Sequence, residues 1–132
     1  MRRILLIDDD DAFTTNTRIM FEESAAHKYK VTIAKTLEEA WKAINTQKEF
    51  NLFLIDLELI KGTFLPQGLD LAESLKKDER TKDIPIIFIT DVFDNISDKR
   101  LSRLGCGLIK KPTDIERIFD EIDEILRTNP TK

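Results

Sequence analysis

The chain has 132 residues, which suits a single compact core rather than separate cofactor and substrate modules. Hydrophobic residues make up 41% and charged residues 35%, with only 4 Gly and 4 Pro, so collagenous, mucin-like and broadly disordered readings are excluded. Its 25 acidic and 21 basic residues are spread along the sequence and give a net charge of -4, leaving no basic stripe to neutralise phosphates; direct nucleic-acid binding is disfavoured.

After Met1, Arg2 and Arg3, an apolar run from Ile4 to Ile7 stops at four aspartates, Asp8 to Asp11. The run is far too short for a signal-peptide core or a membrane span, so a cytoplasmic location and no membrane association are expected. A helix is expected from about Ala12 to Ala26, followed by a strand from Val31 to Ala34 that Thr32 interrupts. Thr36 with Glu39 three residues on matches a capping box and opens a helix whose apolar stripe is Leu37, Ala40, Trp41 and Ile44. Leu52 to Ile55 reads as the third strand, Gly68 to Lys77 as a helix, and Ile86 to Ile89 as the fourth strand. A shorter helix near Ser97 to Leu104 precedes a weak fifth strand at Leu108 and Ile109. The last helix opens on a second capping box, Thr113 with Glu116, and carries the stripe Ile115, Ile118, Phe119, Ile122, Ile125 and Leu126. Residues 1–127 then form one domain, and residues 128–132 a loose tail.

Strand and helix thus alternate five times, and near-continuous apolar strands imply burial on both faces. Such a pattern gives a parallel sheet wrapped on both sides by helices through right-handed crossovers. In an open parallel sheet the functional crevice lies at the carboxyl ends of the strands. Here the first strand ends in Asp8 to Asp11, the third in Asp56, the fourth in Thr90 and the fifth in Lys110, Lys111 and Pro112. Gathering Asp8, Asp9 and Asp56 sets like charges against one another, which a divalent cation relieves. All-oxygen ligation suits a hard ion, magnesium in particular, which keeps waters and takes few protein carboxylates. Beside a metal and a phosphoryl group, Asp56 can act as an oxygen nucleophile, Thr90 as a hydrogen-bond donor and Lys111 as a point charge. Singly, each residue has an ordinary role as a turn, packing or surface group; their coincidence at four strand ends carries the functional reading. His27 is the only histidine and gives no support to a histidine metal site. Cys106 is the only cysteine, which excludes an intramolecular disulfide and fits a reducing compartment.

The segments Leu5-Leu6-Ile7-Asp8-Asp9-Asp10, Leu54-Ile55-Asp56-Leu57, Pro85-Ile86-Ile87-Phe88-Ile89-Thr90 and Lys111-Pro112 resemble a stand-alone, CheY-like response-regulator receiver domain of two-component signalling. The resemblance covers residues 1–127. It implies an α/β fold, a doubly wound five-stranded parallel sheet in the order 2-1-3-4-5 with five helices, in a flavodoxin-like three-layer sandwich. It also implies that Asp56 is the phosphoacceptor and that Thr90 and Lys111 contact the phosphoryl group. Magnesium would be bound by Asp9, Asp56 and the backbone carbonyl of Glu58, with Asp8 acting through water. The phosphodonor would be a phosphohistidine on a sensor histidine kinase or a histidine phosphotransfer protein, and output would pass to another protein by contact. The protein would be a phosphoacceptor, catalysing at most its own phosphorylation and dephosphorylation.

Three departures from the family pattern stand out. A Gly usually follows the phosphoacceptor by about eight residues, whereas here the candidate, Gly68, is twelve along, after the stretch Leu57 to Gln67. The residue after Thr90 is Asp91 rather than a small one, and Leu108 replaces the usual aromatic three residues before the Lys. The competing reading is a small magnesium-dependent phosphohydrolase with an Asp nucleophile. Such enzymes usually carry a second acid as an Asp two residues on, where this chain has Glu58, and the chain leaves no room for a cap. A receiver-like scaffold that takes no phosphate is argued against by the intact acidic set.

Overall fold

The computed structural model describes residues 2–23, 29–46, 49–57, 67–90, 104, 107–110 and 115–128. Its strands are β1 (Arg2–Ile7), β2 (Tyr29–Ala34), β3 (Leu52–Asp56), β4 (Ile86–Thr90) and β5 (Gly107–Lys110). Among the described residues the helices are α1 (Asp11–Glu23), α2 (Leu37–Thr46), α3 (Gln67–Lys77) and α4 (Ile115–Thr128). The strands form one sheet in the order β2-β1-β3-β4-β5, and every neighbouring pair is parallel. The doubly wound α/β arrangement expected from the alternation is therefore present. The short helix expected near Ser97 to Leu104 lies outside the described residues except for Leu104, which is helical, and the last helix reaches Thr128.

Side chains alternate across the sheet and build two apolar layers. On one side Leu5, Ile7, Phe53, Ile55 and Phe88 pack with Ala40, Ala43 and Ile44 of α2 and Leu69, Leu71, Ala72 and Leu75 of α3; Trp41 sits partly buried against this layer. On the other, Ile4, Leu6, Leu52, Leu54, Ile87 and Ile89 pack with Phe21 of α1 and Ile118, Ile122 and Leu126 of α4. Each of the buried Leu, Ile and Phe side chains contributes about 1.5 to 3 kcal/mol, so the three central strands hold the sheet from both faces. The rings of Phe21, Tyr29 and Phe119 meet with centroids 5.1, 4.9 and 5.6 Å apart and tie α1, β2 and α4 together. The Tyr29 hydroxyl donates to Asp123 Oδ1 at 3.2 Å; burial, then the Asp123 charge, push this phenol above its ordinary range.

The expectation of strands buried on both faces fails at β2. Lys30 is exposed and Thr32 and Ile33 are half-buried, because β2 is an edge strand that the helical layers cover incompletely. Its Val31 N–H donates to Glu22 Oε2 of α1 at 2.8 Å, so a carboxylate takes up a donor that an open edge would offer to another chain.

Helix starts follow the predicted chemistry at α2. Thr36 Oγ1 accepts the Glu39 N–H at 3.0 Å, while Glu39 Oε1 accepts the N–H of Lys35 at 2.9 Å, so the reciprocal half of the box closes one residue earlier than in the standard motif. At α1 the buried stripe is Thr14, Thr17 and Phe21. Thr14 Oγ1 donates to the Asp11 carbonyl at 3.2 Å, but the buried Thr17 Oγ1 has no hydrogen-bond partner. Thr17→Val keeps the shape and removes that hydroxyl, and it is expected to raise the unfolding free energy by about 1 kcal/mol. Urea denaturation with an unchanged slope checks this, and a comparable loss of stability would show that the hydroxyl is satisfied in solution.

Candidate functional site

Strand register places the acids. Ile7 pairs with Ile55 across β1 and β3, so the next residues, Asp8 and Asp56, stand level at the carboxyl edge of the sheet. Each is tied to a further strand: the Asp8 N–H donates to the Ala34 carbonyl of β2 at 3.0 Å, and the Leu57 N–H, just past Asp56, to the Ile89 carbonyl of β4 at 2.9 Å. One carboxylate oxygen from each of Asp8, Asp9 and Asp56 lies within 4.8 Å of the other two. Asp8 and Asp56 are fully buried and Asp9 is half-buried.

The four consecutive aspartates divide into two pairs with different work. Asp10 is the N-cap of α1: its Oδ1 accepts the Phe13 N–H at 3.0 Å and its carbonyl the Thr14 N–H at 3.0 Å. Asp11 opens the helix, where the dipole favours an acid, and pairs with Lys35. Asp8 Oδ1 accepts the Asp10 N–H at 3.0 Å, which fixes the turn and leaves Asp8 and Asp9 at the cluster.

Two carboxylates about 5 Å apart repel by roughly 3 kcal/mol at an effective dielectric of about 20, and burial of Asp8 and Asp56 removes the water that would screen them. The donors are all oxygen, all anionic and convergent, which fits a hard divalent cation such as magnesium and no soft metal. Thr90 ends β4, one residue beyond Ile89, the partner of Asp56, and is 1% exposed. Across β4 and β5 it stands opposite Lys110. Lys111 follows directly but lies outside the described residues, as do Glu58, Asp91, His27 and Cys106. Leu108 is partly buried, opposite Phe88 and against the α2 and α3 layer.

Two residues at this edge escaped sequence reasoning. Lys35, one past the end of β2, is level with Asp8 and pairs with Asp11, so it places a positive charge at the rim; its position directly after a strand was the only signal. Gly68 was legible as the start of a helix and as the candidate pattern glycine, but its contact was not. Its N–H donates to the Leu57 carbonyl at 3.1 Å, and its α-carbon approaches the backbone of Asp56 and Leu57 so closely that a Cβ there would lie 2.4 Å from the Asp56 carbonyl oxygen.

The comparisons with known proteins agree with this geometry. The family described as response regulator receiver domain matches residues 4–123. The chain is 32% identical over 130 residues to the DNA-binding dual master transcriptional regulator RpaA of Synechocystis sp., covering 96% of this chain and 50% of that protein. It is 29% identical over 129 residues to the phosphate regulon transcriptional regulatory protein PhoB of Pseudomonas aeruginosa, covering 96% of this chain and 52% of that one. The chain therefore spans about half the length of these curated relatives. Among solved structures, a CheY-like response regulator receiver domain protein from Methanospirillum hungatei superposes with a TM-score of 0.80 at 27% identity, covering 98% of this chain and 96% of that one. A response regulator receiver protein from Pseudomonas putida, at 20% identity and a TM-score of 0.78 over 93% of this chain and 96% of that one, shares the fold. With a family match running through nearly all of its strands and helices, the chain belongs to the response regulator receiver domain family.

Proposed function

We propose that the chain is a phosphorylation-dependent signalling switch in which Asp56 accepts a phosphoryl group from a phosphohistidine on a partner histidine kinase or histidine phosphotransfer protein. The observation that carries this reading is the convergence of Asp8, Asp9 and Asp56 at the carboxyl ends of β1 and β3. An Asp56 carboxylate oxygen attacks phosphorus, the P–N bond to the donor histidine breaks, and the imidazole leaves with the electron pair and takes up a proton. Asp9 and Asp56, with the backbone carbonyl of Glu58, would hold Mg2+, and Asp8 would act through a water. The ion, when bound, supplies positive charge that offsets the carboxylates and the incoming phosphoryl oxygens. Thr90 donates a hydrogen bond to a phosphoryl oxygen, and Lys111 supplies a fixed positive charge there.

In this reading residues 1–127 are the switch, and the protein acts as a phosphoacceptor rather than a turnover enzyme. Output passes by protein contact. Cytoplasmic placement belongs to the same proposal; among the described residues, no helix is long and apolar enough to cross a membrane.

Incubation with acetyl phosphate or phosphoramidate, with and without magnesium, followed by intact-mass measurement, tests donor chemistry, metal and site together. Wild type is expected to gain one phosphoryl group only with magnesium, and Asp56→Asn to stay folded and unmodified. An Asn variant that gains phosphate as readily as wild type would refute the assignment. Independently, Asp9→Ala is expected to weaken magnesium binding by more than about tenfold, read from amide shifts or fluorescence during titration. Equal affinity in the two proteins would remove Asp9 from the metal site.

A further inference from the structure

We propose that Gly68 is a positioning residue for the phosphoacceptor: because residue 68 has no side chain, the first turn of α3 rests on the Asp56–Leu57 peptide and holds Asp56 against Asp8 and Asp9. The inference rests on the phosphoacceptor reading of Asp56. Its observation is a close backbone approach. A Cβ on residue 68 would lie 2.4 Å from the Asp56 carbonyl oxygen, 2.8 Å from Leu57 Cα and 3.0 Å from the Asp56 carbonyl carbon. All three are backbone atoms, so no rotamer change gives relief. Gly68 lies within α3, so the requirement is for space rather than for an unusual backbone conformation.

Neither side of the contact yields easily. Asp56 pairs with Ile89 and the Leu57 N–H is bonded to the Ile89 carbonyl, so β4 holds the β3 side. Leu69, Leu71, Ala72 and Leu75 hold the α3 side in the core. A methyl group at 68 must therefore displace the peptide that carries Asp56 or lift the start of α3, breaking the Gly68 N–H bond to the Leu57 carbonyl. Although Gly68 comes twelve positions after Asp56 in the sequence, the two backbones meet. A shift of about an ångström in a reacting group can cost on the order of a hundredfold in rate, and the carboxylate cluster is at least as sensitive to direction.

Gly68→Ala is compared with Ala72→Gly, which weakens the same helix without approaching Asp56. At a temperature where circular dichroism shows both folded, Gly68→Ala is expected to react with acetyl phosphate about a hundredfold more slowly and to bind magnesium more weakly, while Ala72→Gly keeps wild-type values. Wild-type rate and affinity in Gly68→Ala, or an equal loss in Ala72→Gly, would overturn the proposal. If wild type takes no phosphate, the phosphoacceptor reading fails, and the Asp56 and Leu57 amide shifts still decide the positioning role: unchanged shifts in Gly68→Ala overturn it. If Gly68→Ala does not fold, wild type decides by reciprocity, since magnesium must then slow hydrogen exchange at the Gly68 amide. Exchange that ignores magnesium overturns the proposal.

Discussion

The packing of three carboxylates into one partly buried corner is the constraint on which the rest of the molecule depends. Repulsion of roughly 3 kcal/mol per pair is large beside a typical domain stability of about 5 to 15 kcal/mol. An acidic turn on a loosely held loop would splay. Here Asp8 follows β1 and Asp56 ends β3, strands whose apolar side chains are buried in both layers, and the neighbouring peptides are bonded to β2 and β4. The hydrophobic layers thus do electrostatic work: they prevent the acids from relaxing apart, and a divalent cation gains from negative charge already in place.

The neighbouring polar groups make sense in that light. A helix must start immediately after β1, and its unpaired N–H groups attract acids. Asp10 caps the helix and Asp11 adds a negative charge in its first turn, so these two acids serve the helix start. Lys35, one residue past the edge strand and level with Asp8, pairs with Asp11 at the rim. Its positive charge offsets part of the negative potential at this edge.

Legibility in the sequence tracked burial. The runs of β1, β3 and β4 are apolar without a break because both faces are covered, so their ends, and with them Asp8, Asp56 and Thr90, could be read directly. The edge strand β2 was overread as fully buried, since a short apolar run does not reveal how many neighbours it will have. The capping box at Thr36 was legible because its partners are local; that Glu39 reaches Lys35 instead of the Thr36 amide depends on the path of the preceding strand. The Gly68 contact was invisible for a different reason. A glycine in the first turn of a helix reads as a neutral position, and nothing local says that its α-carbon will meet a strand end twelve positions back.

That contact also bears on the wide spacing here, where Gly68 comes twelve positions after Asp56. The entropy of closing a loop rises only slowly with length, about 0.6 kcal/mol per doubling, so extra residues between two fixed ends cost little. What must be fixed is the pair of ends. Here Leu57 is bonded to β4 through its N–H and to Gly68 through its carbonyl, so one residue joins the central sheet, the loop root and the start of α3. The geometry of the corner then follows from sheet register and one glycine, and loop length becomes free to vary without moving the carboxylates.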